Sequence, residues 1–231
     1  MSAPSARGLF LATGKKGRPV AGYDLAGTLV KGEQLEREKN DFYPTPPEPT
    51  RALLAAEIDR LRQLGAIWEP AAGDGAMARE MRALGLSVFC SDLVDRGCGA
   101  LIRSFYDFAE PPMQTANGSV GIFTNPPFAE CSWGNGRVRW MKHALDVLGV
   151  EYMALLLNWN WPGAGGLRDF YAAHPPARVY LMRWKIDFTG QGAPPMLNAW
   201  FVWDKASTGE TVLRMLDRAD ARQAELFGVR P

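Results

Sequence analysis

The sequence predicts an α/β domain with a mostly parallel sheet, helices on both faces and one antiparallel strand closing the sheet. Three observations carry that expectation. From Asp41 onward, helical segments with one apolar face alternate with short strand-like runs, the pattern of sheets built from successive βα units. Tyr152 to Leu157 is continuously apolar, as a strand covered on both faces requires. The runs Arg178 to Phe188 and Leu197 to Trp203 are separated by the Gly/Pro-rich TGQGAPPM, which suits an antiparallel hairpin.

The first forty residues hold few bulky apolar side chains and end in the charge run Lys31 to Lys39, so 1–40 reads as a flexible basic arm. The domain proper is expected over 41–205. Its first helix should follow Pro49, with Thr50 as cap and Leu53, Leu54, Ile58 and Leu61 on one face. Ala66 to Glu69 reads as a strand, and Met77 to Leu84 as a helix stopped by Gly85. Ser87 to Cys90, a weak run at Ala100 to Arg103, and Gly118 to Thr124 are the next strands. Arg137 to Leu148 and Leu167 to Ala173 are helices on either side of the Tyr152 strand. Beyond Trp203 the remaining chain is read as a helical extension over 206–231.

Composition narrows the chemistry. With 231 residues, 47% of them apolar and 22% charged, the chain can bury a sizeable core and is not disordered. No apolar run approaches the roughly 18 to 20 residues that span a bilayer, so no membrane partner is expected. The N-terminus lacks a cationic stretch followed by an apolar one, which predicts a cytoplasmic protein. Cys90, Cys98 and Cys131 have no CxxC spacing, and His143 and His174 stand far apart, so neither a disulfide framework nor a metal site is predicted. Net charge is +1, and any nucleic-acid contact must therefore use local patches.

Four short stretches could carry chemistry. IWEPAAGDG at 67 to 75 puts Glu69 at a strand end, then Pro70, Ala71, Gly73 and Gly75 in the turn before a helix. Glycines let main chain approach a ligand and a helix start presents free N–H groups, although a tight strand–helix turn would use the same pair. Asp92 ends the next strand, where a carboxylate could accept both hydroxyls of a ribose. Asp107 in FYDF could accept from an adenine amino group, or be an ordinary acidic loop residue. In FTNPPF, Pro126 and Pro127 fix their own φ and hold Asn125 extended at a strand end, its amide directed outward. An amide oxygen and neighbouring carbonyls can accept from an exocyclic amino group while Phe128 stacks on the same planar base. A proline-terminated strand with a core phenylalanine would look similar.

Three of these stretches follow a further one in order: NDFYPTPPEPTRALL at 40 to 54, then EPAAGDG at 69 to 75, SD at 91 to 92 and NPPF at 125 to 128. The set resembles the S-adenosylmethionine-dependent amino-methyltransferases, especially the DNA adenine-N6 methyltransferases and their small phage and prophage forms, over roughly Asn40 to Lys205. The resemblance implies a class I methyltransferase, Rossmann-like fold with a seven-stranded, mostly parallel sheet. It also implies S-adenosylmethionine as cofactor. Tyr43, Pro44 and Thr45 would then lie beside its methionine part, Glu69, Pro70, Ala71, Gly73 and Gly75 would form the glycine loop, Asp92 would meet the ribose and Asp107 the adenine. Asn125, Pro126, Pro127 and Phe128 would be catalytic, with Asn125 also next to the cofactor. Asn rather than Ser at position 125 favours adenine over cytosine in that family.

An adenine amino group so held could attack the sulfonium methyl directly, without a general base, after the base is flipped from the duplex. Candidate DNA contacts are Trp133, Arg137 and Arg139 in the loop after NPPF, the tryptophans of NWNWPG at 158 to 163, and the basic Lys15, Lys16 and Arg18 of KKGRP, which resembles the core of a minor-groove AT-hook. Methylation of RNA guanine-N2 or of a protein glutamine amide, and a non-catalytic DNA-binding role, are the alternatives.

Overall fold

The computed structural model describes residues 21–23, 29–31, 44–113, 115–116, 119–131, 138–188 and 197–219. Lys15, Lys16, Arg18, Tyr43, Trp133 and Arg137 lie outside them. The chain divides into two units, Met1–Lys39 and Asn40–Pro231. In the first, where the sequence reads as an arm, β1 (Ala21–Tyr23) pairs antiparallel with β2 (Leu29–Lys31).

The second unit begins with α1 (Pro47–Leu61). The helix starts earlier than its expected cap. Pro46, at φ −59 and ψ 157, is the N-cap, and Pro47 and Pro49 lie in the first turn, where no intrahelical N–H bond is lost. Thr50 sits inside the helix, fully buried, with no capping role. There follow β3 (Ala66–Glu69), α2 (Ala76–Ala83), β4 (Val88–Asp92), β5 (Leu101–Ile102) and β6 (Val120–Thr124). Next come α3 (Phe128–Cys131), α4 (Arg139–Lys142, continuing as a π-helical turn His143–Val147), β7 (Tyr152–Asn158) and α5 (Arg168–Ala173). The chain then forms β8 (Arg178–Met182), β9 (Asn198–Asp204) and β10 (Val212–Leu216).

The last ten-odd described residues correct the expected helical extension. Val212–Leu216 pairs parallel with β8 and adds an eighth strand to the expected seven. The sheet order is β10-β8-β9-β7-β6-β3-β4-β5. All pairs are parallel except those of β9, which runs antiparallel to both β7 and β8. That is the reversed strand the hairpin signal predicts.

Alternation along β7 shows why the sheet needs helices on both faces. Met153, Leu155 and Leu157 enter one core with Trp140 and Met141 of α4 and Phe170 of α5. Tyr152, Ala154 and Leu156 enter the other with Leu53, Leu54 and Leu61 of α1 and Met77 and Met81 of α2. Each such buried side chain contributes about 1.5–3 kcal/mol of transfer free energy, so neither layer can leave.

Polar groups then fix where α1 lies. Trp200 Nε1 donates to Pro49 O at 3.0 Å. Farther along the helix, buried Glu57 accepts from Arg178 Nε at 2.7 Å and Nη2 at 2.8 Å, and from the Tyr180 and Tyr152 hydroxyls. Arg178 also reaches Asp204 at 2.8 Å, and Arg60 reaches it at 3.0 Å. Burial alone would lower the Arg178 pKa, but its bonds to Glu57 and Asp204 outweigh that and raise it. This network joins α1 to the starts of β7 and β8 and the end of β9, leaving the helix N-terminus at the opposite edge of the sheet.

Candidate active site

Strand order locates the crevice. From β3 the chain builds outward through β4 and β5, then returns to place β6 on the other side of β3 and continues to β7. The carboxyl ends of β3 and β6 therefore flank a topological switch point, where open α/β sheets bind ligands. Both motif loops leave from this edge. Ala66, Ile67 and Trp68 pair with Val120, Gly121 and Ile122, so Glu69 at the end of β3 and Asn125 just past β6 emerge from adjacent strands. Ile67 and Phe123 belong to the core under α1 and α2, and by strand alternation Glu69 and Asn125 face the same way.

The glycine loop is closely braced. Ala72 N donates to Ser91 O at 3.1 Å, Gly75 N to Ala72 O at 2.7 Å and Ala76 N to Asp74 Oδ1 at 3.0 Å. Gly73 and Gly75 take φ values of 56° and 77°, a region that disfavours other residues. A Cβ on Gly75 would lie 3.0 Å from Cys98 Cβ, and Cys98 Sγ donates to Gly73 O at 3.3 Å. Nothing in the sequence pattern marked Cys98 as part of this loop.

Glu69 is buried beneath it, with Oε2 finding no hydrogen-bond partner among the described residues. Burial pushes its carboxyl well above the usual range, against the opposing hydrogen bond from the Ala78 main chain and the Arg82 charge. Pro70 is buried and Ala71 half-buried in the turn that follows.

Asp92 lies where expected, at the end of β4, but its acceptors serve the protein. Oδ2 accepts from Gly73 N at 2.7 Å, while Oδ1 accepts from Val94 N at 2.9 Å and Arg96 Nη1 at 3.0 Å. A carboxylate has about four acceptor sites, so three are already in use. Asp92 ties the glycine loop to β4. Asp107 is exposed in a 3-10 turn, with its main-chain carbonyl accepting from Arg103 Nη2 at 2.6 Å.

Asn125 departs from the outward-facing amide expected of it. Its Nδ2 donates to Thr45 Oγ1 at 3.1 Å, and its Oδ1 is buried without a partner among the described residues. The amide turns toward α1 because Pro44, Thr45 and Pro46 bring a hydroxyl to it from 80 residues away. Pro126 is buried, Pro127 half-buried, and Phe128 packs against the core as the first residue of α3. A cavity of about 400 Å³ joins Pro44 and Thr45 to Asp74 and Ala76 of the glycine loop, and is also lined by Arg79, Glu80, Asp187 and Phe188.

The contacts proposed for nucleic acid divide. Arg139 is exposed, its guanidinium 3.8 Å from the centre of the Tyr106 ring, and Tyr106 in turn donates to Glu130 Oε2 at 2.7 Å. Burial, then Glu130, raises the Tyr106 pKa, so its hydroxyl stays a donor. Trp161 of NWNWPG is structural: its Nε1 donates to Cys131 O at 2.9 Å and its ring packs against Phe170 and Phe201. Trp159 packs against the same core. Among the described residues, no group of three His, Cys, Asp or Glu side chains could hold a metal ion, and no helix is long and apolar enough to cross a membrane.

No protein-family model and no curated protein matches the sequence. Solved structures do resemble it. A Listeria monocytogenes protein named as a class I S-adenosylmethionine-dependent methyltransferase matches with a TM-score of 0.52 at 12% identity, over 80% of this chain and 68% of its own. A Pyrococcus horikoshii protein named as an RNA methyltransferase gives 0.49 at 14% identity, over 76% and 90%. The catalytic domain of hMettl16, in complex with a 3′UTR hairpin, gives 0.42 at 10% identity, over 83% and 89%. Sheet order, the reversed strand and the likeness to the Listeria protein agree: this chain has the class I, S-adenosylmethionine-dependent methyltransferase fold.

Proposed function

We propose that this chain transfers a methyl group from S-adenosylmethionine to the exocyclic N6 amino group of adenine in DNA. The observation that carries the reading is Asn125 Oδ1, a buried acceptor without a described partner, one residue past β6 at the switch point. Leaving such an atom unsatisfied costs about 1–3 kcal/mol. An exocyclic amino group would satisfy it, and the adjacent prolines offer carbonyls but no competing N–H.

The residues around it fit the cofactor. Glu69 Oε2 is a second buried acceptor without a described partner on the same face of the sheet, and Gly73 and Gly75 hold the main chain at positive φ, where other residues are disfavoured. S-adenosylmethionine supplies an electrophilic methyl group when bound. Asn125 Oδ1 and the Pro126 carbonyl would accept from the amino group and draw its lone pair out of conjugation with the ring, which is positioning and electrostatic work rather than acid–base catalysis. Phe128 would stack on the base, offsetting part of the few kcal/mol needed to flip it from a duplex. Asp92 would act on the cofactor through Gly73; a ribose would share its remaining acceptor site or displace Arg96. The choice of adenine in DNA rests on the sequence resemblance and on Asn at position 125.

Labelled S-adenosylmethionine incubated with the chain and DNA, RNA or protein, followed by digestion, identifies the acceptor. The expected product is N6-methyladenine from DNA. Label only in guanine of RNA or in glutamine would overturn the substrate and keep the amino-group chemistry, and no label in any acceptor would overturn the function.

A further inference from the structure

The two ends of the Asn125 amide are treated differently. Nδ2 meets Thr45 Oγ1 at 3.1 Å, and Oδ1 is the end left without a described partner. The ends of a terminal amide have nearly the same shape and opposite polarity. Rotating it would replace the acceptor facing the amino group by a donor, and two sets of N–H groups would then oppose each other. Orientation of this one amide decides whether the site attracts its acceptor group or repels it.

Thr45 is placed to set that orientation. It stands between Pro44 and Pro46 and is buried. Proline on either side restricts the backbone, and a β-branched side chain has few rotamers, so its hydroxyl is held in one place. The helix that follows is fixed at its far end by Glu57, Arg178 and Asp204. We propose that Thr45 is a positioning residue: by accepting from Asn125 Nδ2, it directs Oδ1 toward the amino group to be methylated. This rests on the reading of Asn125 given above, and it goes beyond the cofactor contact that the sequence resemblance implies for Thr45.

A hydroxyl can serve either end of an amide, so the test must see which end it holds. In ¹⁵N-edited spectra of the cofactor-free chain, the Asn125 side-chain amide is identified by its loss in Asn125→Ala. One of its protons should be shifted downfield and protected from exchange in the wild type and in Thr45→Ser, and neither in Thr45→Val. An Asn125 amide unchanged in Thr45→Val overturns the proposal. In methyl transfer, Thr45→Val should lower kcat about tenfold, the size expected for losing one hydrogen bond, with cofactor affinity changed by less than about twofold, and Thr45→Ser should recover most of kcat. Loss of cofactor affinity at unchanged kcat would make Thr45 a cofactor ligand instead, and would also overturn it. If the wild type methylates nothing, the proposed function fails, and the spectra still decide the Thr45–Asn125 contact.

Discussion

Two glycines at the ends of α2 offer a controlled test of the glycine loop. Gly75, its N-cap, and Gly85, just past its C-terminus, both have φ of 77°. A Cβ on Gly85 would meet nothing within 4 Å, whereas one on Gly75 would lie 3.0 Å from Cys98 Cβ. Alanine in the left-handed region costs about 1–2 kcal/mol, and the stiffer unfolded chain returns about 0.4–1 kcal/mol. Gly85→Ala should therefore cost about 0.5–1 kcal/mol. Gly75→Ala should cost this plus about 1–3 kcal/mol of overpacking, because carbon atoms prefer about 3.5–4.0 Å. With a urea slope of about 2 kcal/mol/M, its unfolding midpoint should lie about 0.5–1.5 M below that of Gly85→Ala. Calorimetry should show S-adenosylmethionine affinity reduced about tenfold or more in Gly75→Ala, about 1.4 kcal/mol, and unchanged in Gly85→Ala. Adding Cys98→Gly to Gly75→Ala should recover part of both losses. Equal midpoints and equal affinities in the two single variants would refute the assignment of this loop to the cofactor.

Two further outcomes test the surroundings of the site. Burial raises the Glu69 pKa in the folded chain, so its contribution to stability is fully present below the unfolded value of about 4.3 and is lost as pH rises through the folded value. Glu69→Gln should match the wild type in acid and become progressively more stable than it toward neutral pH, as read from urea midpoints across the pH range; parallel pH profiles would contradict this. Arg178→Met leaves Glu57 buried without its cation and should cost about 3–5 kcal/mol, while adding Glu57→Gln should recover a large part of that loss. A double variant as unstable as the single one would show that the ion pair is not what holds α1.

Most of the sheet was legible because its strands carry local signals. The apolar run at Tyr152–Leu157 and the antiparallel β8 and β9 lie where they were expected, although β8 ends at Met182 rather than at Phe188. β10 was not legible: four of its five residues are exposed, so it has neither the alternation of a half-buried strand nor the stripe of a helix, and only its ladder to β8 makes it a strand. The start of α1 was misplaced because Thr50 resembles a cap, while Pro47 tolerates the first helical position and lets the helix begin sooner. Within the candidate site, the order of motifs pointed to loops that the structure brings to one edge of the sheet, but not to how their polar atoms are spent. Arg96 on Asp92, Cys98 against Gly75 and Thr45 on Asn125 are contacts between groups that no sequence spacing joins. The tryptophans of NWNWPG were ambiguous for the opposite reason: an aromatic loop beside a binding edge looks the same whether it faces solvent or, as Trp161 does, fastens α3 to α5 and β9.

The most direct test of the amino-group clamp is methyl transfer by Asn125→Ala, measured beside its affinity for S-adenosylmethionine. Removal of Oδ1 takes away the acceptor and leaves the glycine loop in place. Transfer to DNA should fall by about 10²–10³-fold, the scale for deleting one preorganised electrostatic group, with cofactor affinity nearly that of the wild type. Transfer at the wild-type rate, or loss of cofactor binding equal to the loss of transfer, would contradict the account.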